Sequence, residues 1–231
     1  MVRAIRNLGT MILIGCLAGC APGLVGGDRQ TDPNLERVLR TDSRVPAKQG
    51  LLYMAMQDAQ VALQSAGYAA AADQPAEAKN RVNNMLHAID PSFPGTPTVT
   101  SSGIAAFWPG TGYGLRRAVA DIADQMRAVE SRHGARERVV AQAGQVTSCA
   151  EETLGRVDRM ASLGQQALAA GSIEEMAPLL AEIDHLSRIV LEVPAAEATG
   201  IILEAPAAQA EQACSLEDAK RYLNDLALQL A

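Results

Sequence analysis

Apolar residues recur at alternating spacings of four and three over most of the chain beyond residue 47. This spacing places them on one face of an α-helix, where neighbouring helices can bury them. Aromatic residues make up only 3% of the chain, whereas β-sandwiches and barrels need strands rich in aromatic and β-branched residues. The sequence therefore predicts an all-α fold, an antiparallel bundle of five to six helices.

Glycines, prolines and capping residues set the limits of the predicted helices. We expect helices over 47–72, 76–89, 115–133, 135–170, 173–193 and 215–230, with a short helix after Pro33. The helix over 135–170 has the most regular pattern, since its four-three repeat continues for four heptads. Its three interior glycines each cost up to about 1 kcal/mol relative to alanine, which leaves a broken helix as the alternative to a continuous one.

Residues 90–114 differ in kind from the rest of the chain. They contain four of the eleven prolines, five of the nineteen glycines and four of the seven aromatic residues, including the single Trp. So many helix breakers exclude a regular helix, and this aromatic density is not typical of a disordered segment. The segment is predicted to be one long ordered loop that lies over the helices.

The first twenty residues have the pattern of a targeting segment. Arg3 and Arg6 precede an apolar stretch that runs from Leu8 to Ala18. A permanent membrane-spanning helix needs about 20 apolar residues, so this stretch is too short and has the length of a signal peptide.

The segment ends in Leu17-Ala18-Gly19-Cys20, which resembles the lipobox of bacterial lipoproteins. The resemblance implies that the chain is cut before Cys20, that the cysteine is diacylated and that the new amine is acylated. Two or three acyl chains would anchor the protein stably in a bilayer. Ala21 stands where an Asp would favour retention in the inner membrane, so we expect the outer membrane, with the protein facing the periplasm. An ordinary secretory signal and an N-terminal anchor helix are the alternatives.

This interpretation divides the chain into three parts: a cleaved signal peptide at 1–19, a lipidated flexible tether at 20–33 and a single helical domain at 34–231. Cleavage would remove Arg3 and Arg6 and no acidic residue, which changes the formal net charge from −6 to −8. An acidic chain is poorly suited to a phosphate backbone. Nucleic acid is therefore not an expected partner.

Two cysteines remain in the mature chain, Cys149 and Cys214. In an oxidising compartment an even remainder favours a disulfide bond. Free buried thiols and a redox or metal role are the alternatives.

Motifs of common enzyme classes are absent from the sequence, which contains no GxSxG, HExxH, P-loop lysine or Rossmann fingerprint. The run Pro109-Gly-Thr-Gly-Tyr-Gly114 has the glycines of a phosphate-binding loop but not its Lys-Ser/Thr pair. A tight turn that seats Tyr113 is the favoured interpretation. We expect a protein that is not an enzyme and needs no cofactor.

The candidate binding site is a hollow between the 90–114 loop and the polar face of helix 76–89. Polar contacts would come from that helix and apolar contacts from the loop, and the candidate residues are Asn83, Asn84, His87, Phe107, Trp108 and Tyr113. The competing hypothesis is that the aromatic residues plug the open end of the bundle.

These observations predict a non-catalytic binding or scaffold module of the cell envelope. Its partners would be the lipid bilayer, through the acyl chains, and another envelope protein or a small ligand. The alternative function is a metal- or haem-binding bundle, since four-helix bundles bind such groups through inward-facing His, Met and carboxylate side chains.

Overall fold

A computed structural model describes residues 32–95, 110–134, 136–191 and 214–230, and all the regular structure in these ranges is helical. The prediction of an all-α bundle is confirmed. The described ranges contain seven α-helices, and one of them is the short helix expected after Pro33. They are α1 (Pro33–Leu39), α2 (Leu51–Ala70), α3 (Pro75–Ile89), α4 (Leu115–Arg132), α5 (Glu137–Ala169), α6 (Ile173–Leu191) and α7 (Leu216–Leu230).

The helix limits lie within four residues of the predicted ones. The largest difference is at the start of α2, because Pro46–Lys48 forms a separate 3-10 turn before Leu51. In this turn Lys48 has a φ of 53°, a backbone conformation that does not continue into a right-handed helix.

Helix α5 is the longest element and is continuous over 33 residues, or about 50 Å at 1.5 Å per residue. The nine apolar or small residues of its predicted four-three repeat are all buried, and they are Val139, Ala143, Val146, Ala150, Thr153, Val157, Met160, Gly164 and Ala167. Gly164 lies against α3, where an added Cβ would come within 2.8 Å of Met85 Cε and 2.9 Å of Leu86 Cδ2. The small residue therefore allows the two helices to approach closely.

Two helices organise the core. Helix α5 packs against α3, α4, α6 and α7, and α2 packs against α1, α3, α4, α6 and α7. The connections at 71–74, 133–136 and 170–172 are short, and connections of this length join antiparallel neighbours. The buried side chains form one apolar cluster to which every helix contributes.

The helical domain begins earlier than the predicted boundary at residue 34. Asp32 is buried and caps α1 by accepting a hydrogen bond from the Asn34 N–H at 2.8 Å. Pro33 is the first helical residue, a position that suits proline because no backbone N–H is needed there. The last two residues assigned to the tether therefore belong to the fold.

Several predictions concern residues outside the described ranges. They are the signal peptide at 1–19, the lipidated Cys20 and the central part of the long loop, which includes Phe107 and Trp108. Among the helices that the structure does describe, none combines the length and the apolar character that crossing a bilayer requires.

Candidate functional site

A glycine-rich turn at residues 110–114 closes around a buried carboxylate. Asp58 lies on α2 and is fully buried. It accepts hydrogen bonds from the Thr111 N–H at 2.5 Å, the Thr111 hydroxyl at 2.8 Å and the Gly114 N–H at 3.1 Å. The run of glycines resembles a phosphate-binding loop in the sequence, but in the fold its backbone amides bind a carboxyl group of the protein itself.

Two glycines of this turn are required by close packing. Gly110 and Gly114 have φ values of +76° and +92°, a region that disfavours side chains. A Cβ on Gly110 would fall on the Asp58 carboxylate, and a Cβ on Gly114 would lie 2.5 Å from Pro91 Cδ. Gly112 has the same backbone conformation, with a φ of +77°, but open space around it.

The Asp58 carboxylate is in an unfavourable environment for a charge. Burial raises the pKa of the Asp58 carboxyl, and the hydrogen bonds from Thr111 and Gly114 lower it only in part, so the net change is upward. This is the expected balance when desolvation exceeds the stabilisation that a few donors supply.

The role of Asp58 as a structural centre was not predicted from the sequence. The available signal was its position within a buried face, since Ala55 and Ala62 at i−3 and i+4 are also fully buried. An acidic residue in the middle of such a face needs hydrogen-bond donors. The sequence does not show that those donors come from a turn more than fifty residues away.

Tyr113 belongs to this turn and is buried, with 5% of its surface exposed. Its hydroxyl donates a hydrogen bond to Asp121, in the second turn of α4. The Arg117 guanidinium lies over the ring, with its Cζ 4.5 Å from the ring centroid. Burial and the Asp121 carboxylate raise the pKa of Tyr113 to about 12. The prediction of a turn that seats Tyr113 agrees with this packing.

A cleft of about 490 Å³ opens between the end of α3 and the start of α4. Part of its wall is set by Asp90, whose carboxylate accepts hydrogen bonds from the Ser92 N–H at 2.9 Å and the Ser92 hydroxyl at 2.6 Å. Another part is set by Arg116, which pairs with Asp158 of α5 at 2.5 Å. The cleft is lined by Ile89, Asp90, Pro91, Ser92, Gly112, Tyr113, Arg116, Arg117 and Ala120.

The predicted polar residues of α3 do not line this cleft, although Tyr113 does. Asn84 and His87 are buried, and Phe93 packs edge-on against the His87 ring at 6.3 Å. Gly95 lies against Asn83, so that an added Cβ would come within 2.7 Å of its side-chain oxygen. The chain after α3 thus folds back over the polar face where we predicted a hollow.

The described residues contain no group of three or more His, Cys, Asp and Glu side chains that could hold a metal ion. The three histidines have separate environments. His87 is buried and its Nε2 has no hydrogen-bond partner within the described ranges, His133 contacts the Asp32 carboxylate at 2.8 Å, and His185 is exposed on α6.

Cys149 and Cys214 lie at disulfide-bonding distance, with their Cα atoms 5.0 Å apart. Cys149 belongs to α5, and Cys214 lies just before α7, which begins at Leu216. The pair therefore connects the start of α7 to the middle of α5, as the prediction of a Cys149–Cys214 bond requires.

Comparison of the chain with protein-family models, with curated proteins and with solved structures found no match.

Proposed function

We propose that this protein is a lipid-anchored, non-catalytic binding or scaffold module of the bacterial cell envelope. The acyl chains on Cys20 hold it at the membrane, most simply the outer membrane with the helical domain facing the periplasm. The proposal is supported by the lipobox-like sequence Leu17-Ala18-Gly19-Cys20, and by the start of the helical domain only twelve positions later, at Asp32.

One structural observation carries the exported location. Cys149 and Cys214 are 65 residues apart in sequence, yet their Cα atoms are 5.0 Å apart in the fold. Disulfide bonds persist in oxidising compartments and are rare in the cytosol. A cysteine pair brought to bonding distance therefore fits the same compartment that the N-terminal segment indicates.

Metabolic labelling with a fatty-acid analogue tests the anchor. We expect the wild-type chain to incorporate the label and to fractionate with membranes. The Cys20→Ala variant should lose the label and should migrate as the longer, uncleaved precursor. Label that persists on Cys20→Ala would contradict lipidation at this residue.

The cleft between α3 and α4 is the site at which the module would bind an envelope protein or a small ligand. It combines an apolar wall with charged groups that are fixed by partners, a composition typical of recognition sites. A photo-crosslinking residue placed at Ala120, which lines the cleft, tests it in living cells. Ala128 is the matched control, since it lies on the same helix outside the cleft.

We expect a discrete crosslinked species from position 120 that is absent from position 128. The same adducts from both positions, or none from either, would argue against recognition at the cleft. Trp108→Ala separates the two hypotheses for the long loop. A plug predicts a large fall in melting temperature, whereas recognition predicts an unchanged fold and the loss of the adduct at position 120.

A further inference from the structure

The surroundings of the cysteine pair contain a set of contacts that do not depend on the sulfur atoms. Arg156 donates a hydrogen bond to the backbone carbonyl of Cys214 at 2.7 Å, and the Cys214 N–H donates to the Glu152 carboxylate at 3.4 Å. Arg156 and Glu152 also pair with each other at 3.1 Å. Both backbone polar groups of Cys214 are therefore held by α5.

The three α5 residues involved share one face of the helix. Cys149, Glu152 and Arg156 stand at positions i, i+3 and i+7, which a helix places in one row. One row thus presents a thiol, an acceptor for the Cys214 N–H and a donor to its carbonyl. The arrangement fixes Cys214 at the height of Cys149 along α5.

Helix α7 is also docked by groups other than the cysteines. Leu216, Leu223 and Leu226 are buried in the common core. Ser215 and Asp218 cap the helix start, since the Asp218 N–H donates to the Ser215 hydroxyl at 3.1 Å and the Ser215 N–H donates to the Asp218 carboxylate at 3.2 Å. The segment that contains Cys214 is consequently held in place by core packing and helix capping as well as by any disulfide bond.

We propose that Cys149 and Cys214 form a reversible thiol–disulfide exchange site, in which Glu152 and Arg156 act as positioning residues that hold Cys214 beside Cys149 in the reduced protein. The reaction partner is a small disulfide or thiol of the glutathione or cystine class. The inference does not depend on lipidation or on the cleft.

The structure gives the order of the two exchange steps. Both cysteines line an open groove of about 490 Å³ between α5 and α7. Cys149 is the less accessible of the two, with 2% of its surface exposed, whereas Cys214 is half-buried. A small disulfide therefore meets Cys214 first. The Cys214 thiolate forms a mixed disulfide and releases one small thiolate. The Cys149 thiolate then attacks the Cys214 sulfur, closes the protein disulfide and releases the second. The two protein thiols lose two electrons, and their two protons go to the two small thiols that leave.

The full chain, purified in detergent and reduced, provides two tests. The first is the rate at which the Cys214 mixed disulfide closes after reaction with glutathione disulfide, measured by acid quenching and mass spectrometry. Arg156→Gln should slow closure about tenfold, as expected from the loss of one hydrogen bond made by a charged group. Arg159→Gln is the matched control, because Arg159 lies on the same helix and pairs with Glu182 of α6 instead, so closure should keep the wild-type rate.

The second test needs no variant. In the reduced wild-type protein the Cys214 amide should exchange its hydrogen at least tenfold more slowly than an unfolded peptide amide, because it donates to Glu152. Exchange at the unfolded rate would show that the disulfide alone holds this segment, and equal closure rates in the Arg156 and Arg159 variants would show that the contacts have no positioning role. Either result overturns the proposal, and the exchange measurement decides if Arg156→Gln does not fold.

Discussion

Two glycines of the 110–114 turn provide a matched test of the buried carboxylate. Gly110 and Gly112 have nearly identical backbone conformations, with φ values of +76° and +77°. Their surroundings differ, since a Cβ on Gly110 would fall on the Asp58 carboxylate whereas a Cβ on Gly112 would meet nothing within 4 Å. Replacing each by alanine therefore adds the same backbone strain but only one collision.

The expected magnitudes follow from these contacts. Left-handed backbone costs a side-chain-bearing residue about 1–2 kcal/mol, so Gly112→Ala should destabilise the fold by about that amount. Gly110→Ala must in addition displace Asp58 from the Thr111 and Gly114 amides. Each buried donor left without a partner costs about 1–3 kcal/mol. We expect Gly110→Ala to exceed Gly112→Ala by about 2–4 kcal/mol.

Urea denaturation followed by far-ultraviolet circular dichroism measures this difference, provided that the two variants keep the same dependence on urea. In thermal unfolding the same difference corresponds to about 4–16 °C for a domain of this size. A double-mutant cycle with Asp58→Ala identifies the cause. In that background Gly110→Ala should lose its excess cost, which gives a coupling free energy of about 2 kcal/mol or more. Equal destabilisation by the two glycine variants would refute the assignment of Asp58 as the centre of the turn.

Three further predictions concern other parts of the fold. On α5, Gly155→Ala should stabilise the protein by up to about 1 kcal/mol, because the added Cβ would lie in open space. Gly164→Ala should give no such stabilisation, because its Cβ would collide with Met85 and Leu86. Urea denaturation of the two variants measures the difference. For Asp32, burial alone would raise the pKa, but the hydrogen bond to His133 and the other contacts lower it below the ordinary 3.8. The stabilisation that the Asp32 carboxylate gives the fold is therefore present above pH 3.8 and is lost as the pH falls through the lowered pKa. Asp32→Asn keeps a capping side chain and should reduce the loss of stability at low pH, measured as the free energy of unfolding against pH. In an ultraviolet titration Tyr113 should ionise near pH 12. Asp121→Asn should shift that ionisation to lower pH, because the Asp121 carboxylate raises the pKa of Tyr113.

The helices could be predicted from the sequence because their signals are local. The four-three repeat of α5 predicted nine buried positions, and all nine are buried. For α2 the same spacing predicted a narrower buried face than the structure has. Leu51, Ala55 and Ala62 are fully buried beside the predicted stripe of Leu52, Met56, Ala59, Leu63 and Ala66. Helix α2 packs against five neighbours, so it buries more of its surface than a single stripe. The number of neighbours is not encoded in the spacing of one helix.

The cysteine pair and the buried carboxylate illustrate the two limits of sequence reasoning about sites. The proximity of Cys149 and Cys214 was predicted because the two cysteines that remain in an exported chain can form only one pair. The contact of Asp58 with Thr111 was not predicted. Many groups in the chain could donate a hydrogen bond to a buried aspartate, and the spacing of residues in the sequence does not indicate which of them does. The role of Glu152 and Arg156 could not be predicted for the same reason. An i, i+4 ion pair on a helix is common, and only the fold shows that this pair contacts Cys214.

The turn at residues 110–114 joins the core to the cleft, and this has a consequence for binding. Gly112 and Tyr113 line the cleft, while Thr111 and Gly114, next to them in the chain, are fixed to Asp58 on α2. A ligand that moved the turn would have to break buried hydrogen bonds to a carboxylate. The cleft wall is therefore set in the unliganded protein, which lowers the entropic cost of binding. A substitution of Asp58, although it lies in the core, should weaken crosslinking from position 120 as well as the stability of the fold.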